Sequence, residues 1–153
     1  ENTSEQVIEL TMQLLKKVGK KPILVKKDVP GFVANRLQHA LWREAISIVE
    51  NGIADAQTVD EAIKYSFGMR LPVLAPLENS DMVGTDLVLS IHEYVLPHLE
   101  RSPKPSPYLE KLVTAGKLGF KTGKGFMEWT QGEQRQLRNN MINHLIKATG
   151  QKD

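Results

Sequence analysis

The sequence predicts a mainly helical protein of the all-α class, preceded by one helix-strand unit. Three observations carry this. Apolar residues recur at helical spacing through long stretches, the chain has one short β-branched run, and glycines and prolines fall between the periodic stretches. The 153 residues suffice for a sizeable core, and 41% hydrophobic with 25% charged residues is a globular composition. The balance of 20 Lys+Arg against 18 Asp+Glu argues against nucleic acid or an anionic membrane as partner. Cysteine is absent, which excludes a disulfide framework, a thiolate metal site and a Cys nucleophile, and fits a reducing compartment. A cytoplasmic location is the expectation.

The first element is a helix with Thr3-x-x-Gln6 as capping box, the apolar positions Val7, Ile8, Leu14, Leu15 and Val18, and Gly19 as stop. Ile23-Leu24-Val25, between lysine pairs and after Pro22, reads as a short strand. A lone strand has nothing to pair with, so residues 1–27 read as the tail of a sheet whose body is missing. The opening residue Glu1, rather than Met, suggests a processed or truncated chain.

Pro30-Gly31 marks a turn, with Pro30 suited to begin a helix. From Phe32 to about Asn51, the residues Val33, Leu37, Leu41, Ile46, Ile48 and Val49 cover a wide face before Gly52, and this helix is expected to be central. A third helix is expected after Thr58-x-x-Glu61, ending at Gly68. Met82, Val83, Leu87, Ile91, Tyr94 and Val95 predict one long fourth helix from Leu77 to Leu99. Ser106-Pro107 caps a short helix that ends at Gly116. Gly119 to Trp129 reads as a tight hairpin-like loop, and a last helix runs from about Glu133 to Thr149.

Three blocks then resemble a known family. Asp28-Val29-Pro30-Gly31-Phe32-Val33-Ala34-Asn35-Arg36-Leu37 resembles the segment that joins the two domains of 3-hydroxyacyl-CoA dehydrogenases. The stretches Pro76 to Asp86 and Lys117 to Phe126 are similar to two further blocks of that family, in the same order. Leu77 stands where the family usually has Phe, so acyl preference is not implied, and the chain continues past the aromatic stop of shorter members. The resemblance implies a C-terminal helical domain of the 6-phosphogluconate dehydrogenase C-terminal-like type. Residues 1–27 would be the tail of a Rossmann domain, and residues 28–153 the substrate-binding and dimerisation domain. It also implies an L-3-hydroxyacyl-CoA substrate, NAD as hydride acceptor, and a catalytic His with a partnering Glu. The glycine fingerprint, the His and the Glu belong to the first domain, outside these residues, so this chain alone is expected to be inactive. The expected partners are the acyl-CoA, the NAD-binding domain of the same protein and a second copy, with neither nucleic acid nor membrane.

Within the chain, the site residues implied are Pro30, Gly31, Phe32 and Asn35. Asn35 can donate and accept through one carboxamide, and its family counterpart helps position the substrate oxygens. By position alone, an Asn at a helix start more often satisfies nearby backbone; the surrounding motif favours the substrate role. Pro30, Gly31 and Phe32 form the turn that would aim Asn35, with Phe32 beside the acyl slot. Glu78 and Asp81 share a helical face, and two carboxylates at a helix start more often complement the helix dipole than perform acid/base work. Gly119 and Gly123 enclose three residues where a P-loop needs four, which rejects a phosphate cradle. The lysine-rich stretch from Lys16 to Lys27 reads as a solvated face. Two rival readings stay open: a non-catalytic helical dimerisation or scaffold module, and a related dehydrogenase acting on another hydroxy acid.

Overall fold

The computed structural model describes residues 3–150 and is mainly helical, with no strand ladder among those residues. The chain divides into two compact units, Glu1–Ala40 and Leu41–Asp153.

The first unit contains α1 (Glu5–Lys17) and the start of α2 (Ala34–Glu50). The cap of α1 is Ser4 rather than the expected Thr3 box: the Ser4 hydroxyl accepts from the Val7 N–H at 3.3 Å. The expected stop at Gly19 is present, with the Lys20 N–H donating back to the Leu15 carbonyl at 3.0 Å. Residues 20–25, expected as a strand, have no regular secondary structure. A β-branched run forms a strand only where a neighbouring strand supplies the ladder, and none is described here.

In the second unit, α2 ends at Glu50 and the chain reverses through Gly52 in the same way, the Ile53 N–H donating to the Ile48 carbonyl at 3.0 Å. The next helix, α3 (Ala56–Lys64), is capped by Asp55, not Thr58: the Asp55 Oδ1 accepts from the Thr58 N–H at 2.7 Å. A single 3₁₀ turn, Phe67–Met69, follows it.

The long fourth helix is two helices, α4 (Pro76–Val83) and α5 (Thr85–Val95), with a 3₁₀ turn at Leu96–His98. Gly84 separates them with φ +100° and ψ 130°, outside helical space. The apolar period continues across this break, which is why spacing alone joins the two. At the start of α4, Glu78 accepts from the Ala75 N–H at 2.8 Å, so this carboxylate serves the helix terminus.

The short α6 (Pro107–Thr114) starts as expected at Ser106, whose hydroxyl accepts from the Tyr108 and Leu109 N–H groups at 3.1 and 3.2 Å. The Ser106 hydroxyl in turn donates to Glu50 Oε2 at 2.8 Å, and the Tyr108 N–H donates to Glu50 Oε1 at 3.2 Å. A second carboxylate of α2, Glu44, accepts from the Glu100 N–H at 2.7 Å. Two acidic side chains thereby hold the proline-rich connection 101–106 to the last two turns of α2.

The glycine-rich loop folds back on itself before α7 (Gln131–Thr149). The Gly119 N–H donates to the Lys124 carbonyl, the Gly125 N–H to Met127 and the Trp129 N–H to Gly123, each at 2.8 Å. These three N–H groups close the loop onto its own carbonyls. Phe120 and Trp129 meet edge to face with centroids 4.9 Å apart, and the Arg138 guanidinium of α7 lies 5.4 Å from the Phe120 ring centroid.

A reciprocal cap opens α7. The Thr130 hydroxyl accepts from the Glu133 N–H at 3.2 Å, while Glu133 accepts from the Thr130 N–H at 2.8 Å. The Thr130 N–H holds the Glu133 carboxyl below its ordinary range, and the Thr58 N–H does the same for Asp55. A carboxyl depressed in the folded state stabilises at pH above its unfolded value, and that contribution is lost as pH falls through the folded value. On acid titration, the far-UV helical signal is therefore expected to fall with a midpoint that moves when both groups are replaced by Asp55→Asn and Glu133→Gln. Identical midpoints for the wild-type and doubly substituted proteins would remove these two carboxyls as acid-sensitive caps.

Candidate functional site at the turn before α2

The segment leading into α2 is built by its own residue types. Pro30 sets φ for the second position of a turn and Gly31 takes the third, where φ is +79°. The Phe32 N–H closes this turn onto the Val29 carbonyl at 3.0 Å, the hydrogen bond of a type II turn. Pro30 thus bends the chain and does not begin the helix. The helix starts at Ala34, after a second residue in left-handed space: Phe32 has φ +44°. That conformation costs a bulky side chain on the order of 1–2 kcal/mol.

Two consecutive left-handed residues turn the chain sharply immediately before the first helical turn. Arg36 steadies the bend from the helix side, its Nη1 donating to the Pro30 carbonyl over a long 3.4 Å. A Cβ placed on Gly31 would lie 3.3 Å from Arg36 Cγ and 3.6 Å from Asn35 Cβ, so the bend and the first turn of α2 are in close contact. Arg36 was not expected from spacing. Its signal was available, because it adjoins Asn35 in the motif and is placed to reach backbone one turn earlier.

Asn35 is exposed, and among the described residues its carboxamide has no hydrogen-bond partner. Phe32 is 55% exposed. The four expected residues, Pro30, Gly31, Phe32 and Asn35, are therefore one contiguous bend, with an amide and an aromatic ring open to solvent. This arrangement can orient oxygens: the Nδ2 group donates, the Oδ1 accepts, and the fixed backbone limits how far either moves. The described residues hold no group of three or more His, Asp or Glu able to bind a metal ion. A depression of about 450 Å³ beside α6, lined by Pro107, Glu110, Lys111, Thr114 and Ala115, is wide open to solvent. No helix of the described residues is long and apolar enough to cross a membrane.

This bend lies where a family profile begins. The profile described as 3-hydroxyacyl-CoA dehydrogenase, C-terminal domain, matches residues 31–129. The chain belongs to this family. Its all-α fold agrees with that domain. Among similar proteins, 5-formyl-3-hydroxy-2-methylpyridine 4-carboxylate 5-dehydrogenase of Mesorhizobium japonicum is 32% identical over 146 residues, 95% of this chain and 47% of the relative. A probable 3-hydroxybutyryl-CoA dehydrogenase of Bacillus subtilis is 40% identical over 130 residues, 84% of this chain and 44% of the relative. A crystal structure of the pyridine carboxylic acid 5-dehydrogenase, described as an NAD+-dependent dismutase, superposes with a TM-score of 0.90 at 30% identity, covering 99% of this chain and 50% of that one. The chain thus spans about half the length of the relatives it matches. The family match ends at Trp129, so the final helix α7 lies outside it.

Proposed function

We propose that these residues form the substrate-side half of an NAD-dependent L-3-hydroxyacyl-CoA dehydrogenase, which oxidises the 3-hydroxyl of the thioester to a ketone. Residues 1–27 would close the NAD-binding domain, and residues 28–153 would shape the acyl pocket and pair with a second copy. The observation that carries this reading is the unpartnered Asn35 carboxamide, presented by a strained Pro-Gly-Phe bend at the head of the family match. Asn35 would donate from Nδ2 to a substrate oxygen and so hold the 3-hydroxyl beside a base contributed by residues outside this chain. Pro30, Gly31 and Arg36 set its position, and Phe32 offers an apolar edge to the acyl chain.

NAD does not fit the residues present here. The chain has no G-x-G-x-x-G run following a strand, and in its glycine-rich loop the Gly119, Thr122 and Gly125 N–H groups donate to protein carbonyls. The dinucleotide would be held by the other domain.

A second reading has a specific observation in its favour. Similarity to the pyridine carboxylate dehydrogenase covers 95% of the chain, whereas similarity to the Bacillus subtilis relative covers 84%. A hydroxyl or aldehyde substrate without a thioester is therefore the rival. Initial rates of the full-length protein with NAD+ and 3-hydroxybutyryl-CoA, compared with a hydroxymethyl-pyridine carboxylate, separate the two. A preference of at least tenfold in kcat/KM for the thioester is expected, and the opposite preference selects the rival. Turnover of neither would favour a non-catalytic module. Residues 1–153 alone should not reduce acetoacetyl-CoA with NADH, and measurable turnover would overturn the division of labour proposed here.

A further inference from the structure

We propose that α7 is a pairing arm that packs on α4 and α5 of a second copy of this chain. The proposal rests on the dimeric reading above and adds which surfaces meet. The helix is well anchored at its start, by the Thr130–Glu133 cap and by Arg138 over Phe120. Beyond that start, its backbone makes no close approach to another helix among the described residues of its own chain, as also holds for α1, α2 and α6. Yet it carries Leu137, Met141 and Leu145, spaced four apart on one face and 41%, 55% and 51% exposed. A 19-residue helix that leaves such a stripe in water gains little from tertiary packing, which is where most helical stability in proteins arises.

A matching stripe lies on α5, where Leu87, Ile91 and Tyr94 are 50%, 47% and 76% exposed, and α4 adds Leu77 and Met82 at 80% and 66%. Charge distinguishes this pairing from the alternatives. The α7 helix has three cations, Arg135, Arg138 and Lys147, against the single carboxylate Glu133. The α4–α5 stretch has four carboxylates, Glu78, Asp81, Asp86 and Glu93, and no Lys or Arg. Two α7 helices set side by side would oppose like charges, as would two α4–α5 pairs; α7 against α4–α5 opposes unlike ones. In a two-fold pair this contact forms twice, each copy giving an arm and receiving one.

The apolar side chains that α4, α5 and α7 leave exposed are the surface this contact would cover. A stable pair needs only about 800 Å² buried per partner. Val59 and Leu112, 7% and 6% exposed, are the buried apolar residues among those described.

The test uses full-length protein with any cysteine outside these residues replaced by serine; residues 1–153 contain none. Met141→Cys in one tagged version and Ile91→Cys in a second are co-expressed and treated with a short bis-maleimide. The expected result is a cross-link between the two tags, at least tenfold over that between two Met141→Cys copies. In sedimentation, Leu145→Asp should raise the dimer dissociation constant at least 100-fold. A cross-link confined to Met141→Cys pairs overturns the proposal, as does one formed within a single Met141→Cys/Ile91→Cys chain diluted in wild type. So does its absence while the wild type still sediments as a dimer, an outcome that leaves dimerisation itself intact. A wild-type monomer would instead remove the dimeric reading and this arm with it.

Discussion

Replacing Asn35 by Ala in the full-length protein is expected to lower kcat/KM about 100-fold, the scale of losing one preorganised hydrogen-bond donor at a reacting oxygen. The amide is exposed and has no partner in the described residues, so its removal should change folding stability by less than about 0.5 kcal/mol. The two measurements together decide its role. An Asn that merely satisfied backbone at the helix start would show the reverse pattern, a lower melting temperature with nearly intact turnover. Steady-state kinetics beside a thermal melt read both, and an unchanged kcat/KM would remove Asn35 from the substrate site. Because the bend fixes the amide, Asn35→Gln should rescue little: one added methylene carries the carboxamide past the position set by Gly31 and Phe32.

The helices were legible because their apolar spacing is a property of the chain itself; their boundaries were less so. Thr3 and Thr58 fitted the capping-box pattern, yet Ser4 and Asp55 make the caps, since several polar residues in a row each offer an oxygen and only backbone geometry selects among them. The division of α4 from α5 was hidden for a different reason. Met82, Val83, Leu87 and Ile91 keep a helical period across Gly84, and a single glycine is also compatible with a continuous helix. Ile23 to Val25 has a strand's composition, but a strand is defined by its neighbour, which a local sequence does not contain. At the candidate site, the Pro30-Gly31 turn followed directly from its two residues. The left-handed Phe32 did not: a bulky aromatic residue disfavours that region, and only the surrounding geometry imposes it. Backbone strain beside an exposed amide with no protein partner became visible only with the structure.

The glycine loop gives the sharpest structural expectation. A Cβ on Gly125 would lie 2.8 Å from Gly119 Cα and 3.0 Å from Gly119 N, both backbone atoms with no rotamer to yield. The two sides of this small loop would have to separate, weakening the Gly119–Lys124 and Gly125–Met127 hydrogen bonds. Trp129 would shift from Phe120, and with it the cap at Thr130 that begins α7. Gly125→Ala is expected to cost about 2–4 kcal/mol, on the order of 6–12 °C in Tm for a chain of this length. Gly119→Ala supplies the control. Its φ is +67° but no atom lies within 4 Å of the added Cβ, so it should lose only the left-handed penalty of about 1–2 kcal/mol. Equal losses for the two variants would mean that backbone conformation, rather than the close approach of Gly125 to Gly119, holds this loop. An added consequence separates the loop from a general loss of stability: as the cap shifts, Gly125→Ala should weaken dimerisation through α7, whereas Gly119→Ala should leave it near the wild-type value.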